Sequence, residues 1–185
     1  SIIIELFYGQ LLTEIIDIDT KKCISHTFQP SCFFLLPIPN KENVSILDCL
    51  DLYTSEELLD NENKWLNETT HEYIKVLKRI KIWTFPKLLI IGLNRFTNNN
   101  TKINKSICIE PILDLSRYSK SKETLNYKLV CICNHYGNSQ SGHYTSTICI
   151  NEDWYEFNDS HVTKLDTTSK FMENAYCLFY EKIII

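Results

Sequence analysis

Residues 135–162 read HYGNSQSGHYTSTICINEDWYEFNDSHV, and no other stretch restricts the fold of this chain so tightly. Gly and Ser cluster at 137–142 and predict a turn or short loop. Tyr144 to Ile150 follows as a strand, Asn151, Glu152 and Asp153 read as a turn, and Trp154 to Phe157 is a second strand. That strand delivers Asn158 and Asp159 at its far end. The hairpin therefore returns Asn158 to the side of His143, although 158 − 143 = 15 positions separate them. A histidine oriented by an amide or carboxylate is the base half of a nucleophilic active site. Taken alone, His143 reads as a core histidine satisfied by a backbone carbonyl.

The remainder is mostly strand-like. Residues 6–11, 13–18 and 27–36 read as extended, the last run closing on Pro37 and Pro39. Residues 45–53 are the best helix candidate: Ser45 and Asp48 form a capping box, and Ile46, Cys49, Leu50 and Tyr53 recur at helical spacing. Cys49 is then a core residue, because a nucleophilic thiol needs an electropositive, partly open site. Residues 54–59 read as a second short helical turn. Residues 73–83 alternate without a cleanly apolar face, as a strand exposed on one side does, whereas 85–96 are almost wholly apolar and predict a buried central strand. Cys108, between Ile107 and Ile109, is expected to be packed, as are Cys131 and Cys133 on one face of a strand over 127–134. Residues 97–104 form an Asn-rich polar loop, 119–126 a short polar loop, and 175–181 a last strand. The fold class is α+β.

Composition excludes some functions. A net charge of −4 without a basic cluster argues against a nucleic-acid surface. No apolar run approaches the roughly 18 residues that span a bilayer. Eight cysteines scattered through strand-like segments, without a secretion signal, read as reduced thiols of a cytoplasmic protein.

In order, Tyr127-Lys128-Leu129, His135-Tyr136-Gly137, Gly142-His143-Tyr144, Trp154, Phe157-Asn158-Asp159 and the run AYCLFY at 175–180 resemble the histidine box of the ubiquitin-specific proteases, papain-like cysteine hydrolases. Residues 6–11 (LFYGQL), 85–96 and 106–118 (SICIEPILDLSRY) are similar to other parts of the same catalytic domain. Ser141 departs from the pattern, which usually has a second Gly there. The resemblance implies a partial papain-like fold: fingers at about 1–40 and 61–84, a connecting helix at about 45–60, a palm at about 85–185, and the thumb missing. It implies cleavage of the (iso)peptide bond after the C-terminal Gly of ubiquitin. His143 would be the base and Asn158 its orienting partner, with Asp159 supporting through a second hydrogen bond or a polarised water. His135, Gly137, Gly142 and Tyr144 would shape the channel for ubiquitin's tail. Arg95 would pair with palm carboxylates.

Two family features are incomplete. Many members hold zinc with a Cys-x-x-Cys in each of two finger knuckles. Here the first knuckle offers Cys23 and His26, the second reads NETT at 67–70, and His71 is a lone neighbour. That set does not close a structural zinc site, so a degenerate knuckle and no cofactor are expected. The nucleophile box, Gly-Asn-Thr-Cys-Tyr or close to it, does not occur, so the chain alone should hydrolyse nothing. Expected partners are ubiquitin or ubiquitinated proteins and a missing N-terminal thumb segment. Three readings stay open: the His/Asn half of a deubiquitinase, a thumbless ubiquitin-binding remnant, and a zinc-ribbon interaction module, which the lost ligands disfavour.

Overall fold

A computed structural model of the chain describes residues 1–120, 124–166 and 173–184. In chain order its helices and strands are α1 (Ile2–Phe7), β1 (Gly9–Asp17), β2 (Cys23–Ser31), β3 (Phe34–Pro37), β4 (Val44–Ser45), α2 (Ile46–Thr54), β5 (Glu57–Leu59), β6 (Trp65–Asn67), β7 (Glu72–Ile74), β8 (Val76–Thr84), β9 (Leu88–Asn94), β10 (Ile107–Cys108), β11 (Ile112–Asp114), β12 (Asn126–Gly137), β13 (Gly142–Ile150), β14 (Asp153–Asn158), β15 (His161–Leu165) and β16 (Ala175–Lys182).

Capping chemistry sets where α2 begins. Asp48 N donates to Ser45 Oγ at 3.2 Å and Ser45 N donates to the Asp48 carboxylate at 2.8 Å, which satisfies two backbone donors otherwise left open at a helix start. The helix buries Ile46, Cys49 and Leu50. It stops at Thr54, because Ser55 is extended and Glu57 to Leu59 pair with β8. The helical turn expected at 54–59 is therefore a strand, held across to β8 by Glu57–Lys78 and Glu56–Arg79 ion pairs.

Two sheets carry most of the chain. The smaller runs β2-β1-β8-β5. The larger runs β15-β14-β13-β12-β16-β9-β3, with β11 beside β12. Its pairs are antiparallel except β3 on β9, which is parallel. The extended run expected at 27–36 splits between the sheets, since β2 ends at Ser31 and β3 begins at Phe34. One face of the larger sheet supplies the core: Phe34 and Leu36, Ile91 and Leu93, Leu178 and Tyr180, and Ile132 pack with Ile46, Cys49 and Leu50 of α2. Period-two alternation explains why β9 reads as a near-continuous apolar run, since both of its faces are at least half covered.

Three local expectations are corrected. Residues 2–7 are helical before strand β1 begins at Gly9; bonds from Glu5 N to Ser1 O and Tyr8 N to Ile4 O close the turns, and Glu5 pairs with Lys87. A run of six residues is too short for apolar spacing to tell helix from strand. Cys108 is exposed, because alternation between buried Ile107 and Ile109 turns it outward. Arg95 is fully buried but pairs with no carboxylate among the described residues: it donates to the carbonyls of Ala175 (2.6 Å), Ile103 (2.9 Å) and Lys105 (2.8 Å). The loop expected at 119–126 falls partly outside the described residues.

Candidate active site

The β13–β14 hairpin is built by its turn. Asn151 and Glu152 both adopt positive φ, 51° and 71°, between the paired Ile150 and Asp153. This is the two-residue turn whose twist matches that of the flanking strands. The register then runs from Ile150 opposite Asp153 to Ser146 opposite Phe157. One step further sets Asn158 across from Thr145, diagonal to His143 on the same face. The side chains meet there, with His143 Nε2 and Asn158 Oδ1 2.7 Å apart. An amide oxygen only accepts, so in this contact Nε2 is the donor. Both residues are exposed.

Asp159 begins the β14–β15 turn with φ 52°. Its carboxylate makes no hydrogen bond or ion pair among the described residues, so the second hydrogen bond expected from it is not formed among them.

The loop before His143 closes on two glycines for two reasons. Gly137 has φ +107°, open to glycine at little cost. At Gly142 the constraint is space: an added Cβ would lie 2.2 Å from His135 Nε2 and 2.6 Å from Tyr136 O. His135 is only 4% exposed, its ring set against Tyr144 (centroids 4.8 Å), Tyr176 (5.6 Å) and Phe96 (5.8 Å). Burial, and then the nearby Lys102 ammonium, lower its pKa, and its buried Nδ1 has no hydrogen-bond partner among the described residues. Tyr144 is 56% exposed. Together Phe96, Asn100, Gln140, Gly142, Tyr144 and Tyr176 line an open recess beside the loop, with His135 at its floor.

No thiol joins this group. Among the described residues His143 has no partner but Asn158, and all eight cysteines are free. Burial pushes Cys49 and Cys131 up to about 11 and Cys177 to about 12, and raises Cys133 as well. Cys149 shares β13 with His143 but lies near its other end, about 20 Å away at strand rise.

The knuckle residues are used otherwise. Cys23 Sγ donates to Ser25 O at 3.2 Å, His26 packs edge-on to Phe28 at 5.9 Å, and His71 occupies a positive-φ turn position. Among the described residues no three His, Cys, Asp or Glu side chains come together to hold a metal. No helix of the described residues is long and apolar enough to cross a membrane.

Sequence reasoning did not single out Lys102, whose ammonium donates to His135 O at 2.5 Å. It also missed a buried polar group behind the site, where Asn134 Nδ2 reaches Thr145 Oγ1 (3.4 Å) and Thr147 Oγ1 (3.3 Å). Threonines two apart on a strand, beside a strand carrying Asn, are the signal that would have pointed to the second.

Residues 1–180 match the family model described as ubiquitin carboxyl-terminal hydrolase. The chain belongs to that family. A probable ubiquitin carboxyl-terminal hydrolase of Acanthamoeba polyphaga mimivirus is 35% identical over 156 residues, covering 78% of this chain and 33% of that protein. Human ubiquitin carboxyl-terminal hydrolase 21 is 32% identical over 198 aligned positions, covering 98% of this chain and 34% of its own length. Among solved structures, the SAGA Ubp8/Sgf11/Sus1/Sgf73 DUB module bound to ubiquitin aldehyde superposes with a TM-score of 0.84 at 25% identity, over 100% of this chain and 43% of that one. A structure of the yeast SAGA DUB module superposes with a TM-score of 0.86, also at 25% identity, and covers 100% and 43%. The strand-dominated α+β fold is thus that of the papain-like ubiquitin carboxyl-terminal hydrolases. The chain spans about a third of the length of these two curated relatives.

Proposed function

We propose that these 185 residues are the ubiquitin-binding, imidazole-bearing portion of a deubiquitinase-type domain, and that as they stand they bind ubiquitin without cleaving it. The observation that carries this is the 2.7 Å His143–Asn158 contact in a chain none of whose thiols meets that imidazole. The division into two sheets supports assigning the four-stranded one to fingers that grip ubiquitin and the larger one to a palm. The exposed Tyr144 and the glycine-closed loop at 137–142 support a channel for ubiquitin's tail, with His135 bracing it from below. Eight free thiols fit a reducing, cytoplasmic setting.

A second reading, catalysis completed by a thiol from another segment, is favoured by the intact His143–Asn158 pair. In it His143 takes the thiol proton as sulfur attacks the carbonyl of ubiquitin's last residue and gives it to the amine that leaves, water then hydrolyses the thioester, and Asn158 holds the ring in the required tautomer.

Titrating the chain with ubiquitin and assaying it with a ubiquitin–fluorophore conjugate tests the proposal. Saturable binding with no turnover is expected; absence of binding overturns it. Adding a Cys-bearing thumb segment of a relative tests the second reading, which requires turnover that vanishes in His143→Ala and falls sharply in Asn158→Ala. Full turnover in His143→Ala would remove that residue as the base.

A further inference from the structure

We propose that Lys102 is a positioning residue: it fastens the Asn-rich loop to β12 next to the cross-strand neighbour of His143, and so sets the width of the recess that would take ubiquitin's tail. The inference rests on the tail-channel reading, but its first test does not.

The two walls of the recess are each braced internally. In the Asn-rich loop a bridge pairs Phe96 with Lys102, Thr97 N donates to Thr101 O (3.0 Å) and Asn100 N to Thr97 O (2.9 Å). In the facing loop, Asn138 N donates to Ser141 O (2.9 Å), and Asn138 Oδ1 accepts from Gln140 N (2.8 Å) and Ser141 N (3.0 Å). Each wall can therefore keep its own shape while the spacing between them is set elsewhere.

Among the described residues, hydrogen bonds join the Asn-rich loop to β12 and its loop at two points. Ser139 Oγ donates to Asn100 O at 3.2 Å, a neutral bond between exposed residues. Lys102 Nζ donates to His135 O at 2.5 Å, partly buried. The second is the stronger anchor, since charge-assisted bonds are about twice as strong as neutral ones and burial shields this one from water. No carboxylate pairs with the Lys102 ammonium among the described residues, and both burial and the nearby Arg95 guanidinium act against its charge. A cation held there without a counter-ion is explained by the carbonyl it holds. That carbonyl belongs to the residue before Tyr136, which stands opposite His143 in the β12–β13 register. His135 itself sits under Gly142. One amine thus ties the outer wall of the recess to the strand position that sets His143.

Amide hydrogen exchange on the free chain, with Lys102→Met and Lys102→Arg, tests the coupling. Met keeps the apolar stem and removes the donor, and Arg keeps a donor. In Lys102→Met the amides of Thr97 and Asn138 should exchange roughly tenfold faster or more, those of β1 and β8 should not change, and Arg should restore most of the protection. Unchanged exchange at Thr97 and Asn138 overturns the proposal, and so does an equal rise throughout the chain, which would make Lys102 a general stabiliser. Binding then connects the coupling to the site. Lys102→Met should weaken intact ubiquitin by about tenfold and leave ubiquitin lacking its C-terminal tail unaffected. An equal loss for both ubiquitins overturns the recess assignment. If exchange responds but the unaltered chain does not distinguish the two ubiquitins, the loop coupling stands and the tail-channel reading falls.

Discussion

Replacing Gly142 with Ala puts one methyl group where two atoms already stand. The new carbon would lie 2.2 Å from His135 Nε2 and 2.6 Å from Tyr136 O. Both are well inside van der Waals contact. The imidazole can turn away only by disturbing Tyr144, Tyr176 and Phe96, and the carbonyl belongs to the β12 backbone. Overpacking of this kind costs about 1–3 kcal/mol, and two simultaneous contacts place Gly142→Ala near 3 kcal/mol. For a chain of this size that lowers Tm by roughly 6–12 °C. His135→Ala removes a buried ring and should cost about 2–4 kcal/mol by itself. The double variant no longer has the ring contact and retains only the carbonyl contact, so its cost should fall short of the sum by about 1.5 kcal/mol. Urea unfolding followed by circular dichroism gives the four midpoints, and unchanged m-values keep the comparison valid. Additive losses, within about 0.5 kcal/mol, would show that the ring does not impose glycine here, and the link between His135 and the loop would fail with it.

Other perturbations test other parts of the structure. Arg95→Met leaves the carbonyls of Ala175, Ile103 and Lys105 without their buried donor and should cost about 3–5 kcal/mol in urea unfolding, against under about 1 kcal/mol if the bonds were incidental. Asp48 is held down to about 2 by the Lys41 ammonium and by Ser45, below its unfolded value near 4. Its stabilisation is therefore complete above about pH 4 and lost as pH falls toward 2, so Asp48→Asn should flatten the acid limb of a Tm–pH curve, and an unaltered limb would contradict the capping box. Exposed Cys23 and Cys108 should react first with an aromatic disulfide reagent at neutral pH, while Cys49 reacts only on unfolding; early labelling of Cys49, read by peptide mass, would contradict its burial.

The part of the site that local chemistry determines was legible before any coordinates. Asn151 and Glu152 impose a tight turn, the turn imposes the register, and the register delivers Asn158 to His143, so each step depends on neighbours in sequence. The Ser45–Asp48 box is legible for the same reason. Lys102 and His135 are 33 residues apart, and nothing in either local pattern says that one will reach the carbonyl of the other. The strand at Glu57–Leu59 escaped because β8, which pairs it, begins well beyond it in the chain. Arg95 was expected to pair with carboxylates, but its acceptors are carbonyls brought in by Ala175 and the 103–105 segment, which carry no side-chain signature. Cys108 was misjudged by reading alternation with isoleucines as shared burial, when a two-residue period separates the faces.

The place of β16 in the larger sheet bears on how the chain can be made. This strand follows β15 in sequence yet lies between β12 and β9, hydrogen-bonded to both. Until Ala175 to Lys182 have left the ribosome, β9 with β3 and β12 with its hairpins are separate half-sheets with open edges. Such edges are templates for pairing with other chains. The two halves therefore cannot be joined edge to edge until nearly all of these residues are translated, and their edges stay open to pairing with other chains for that interval.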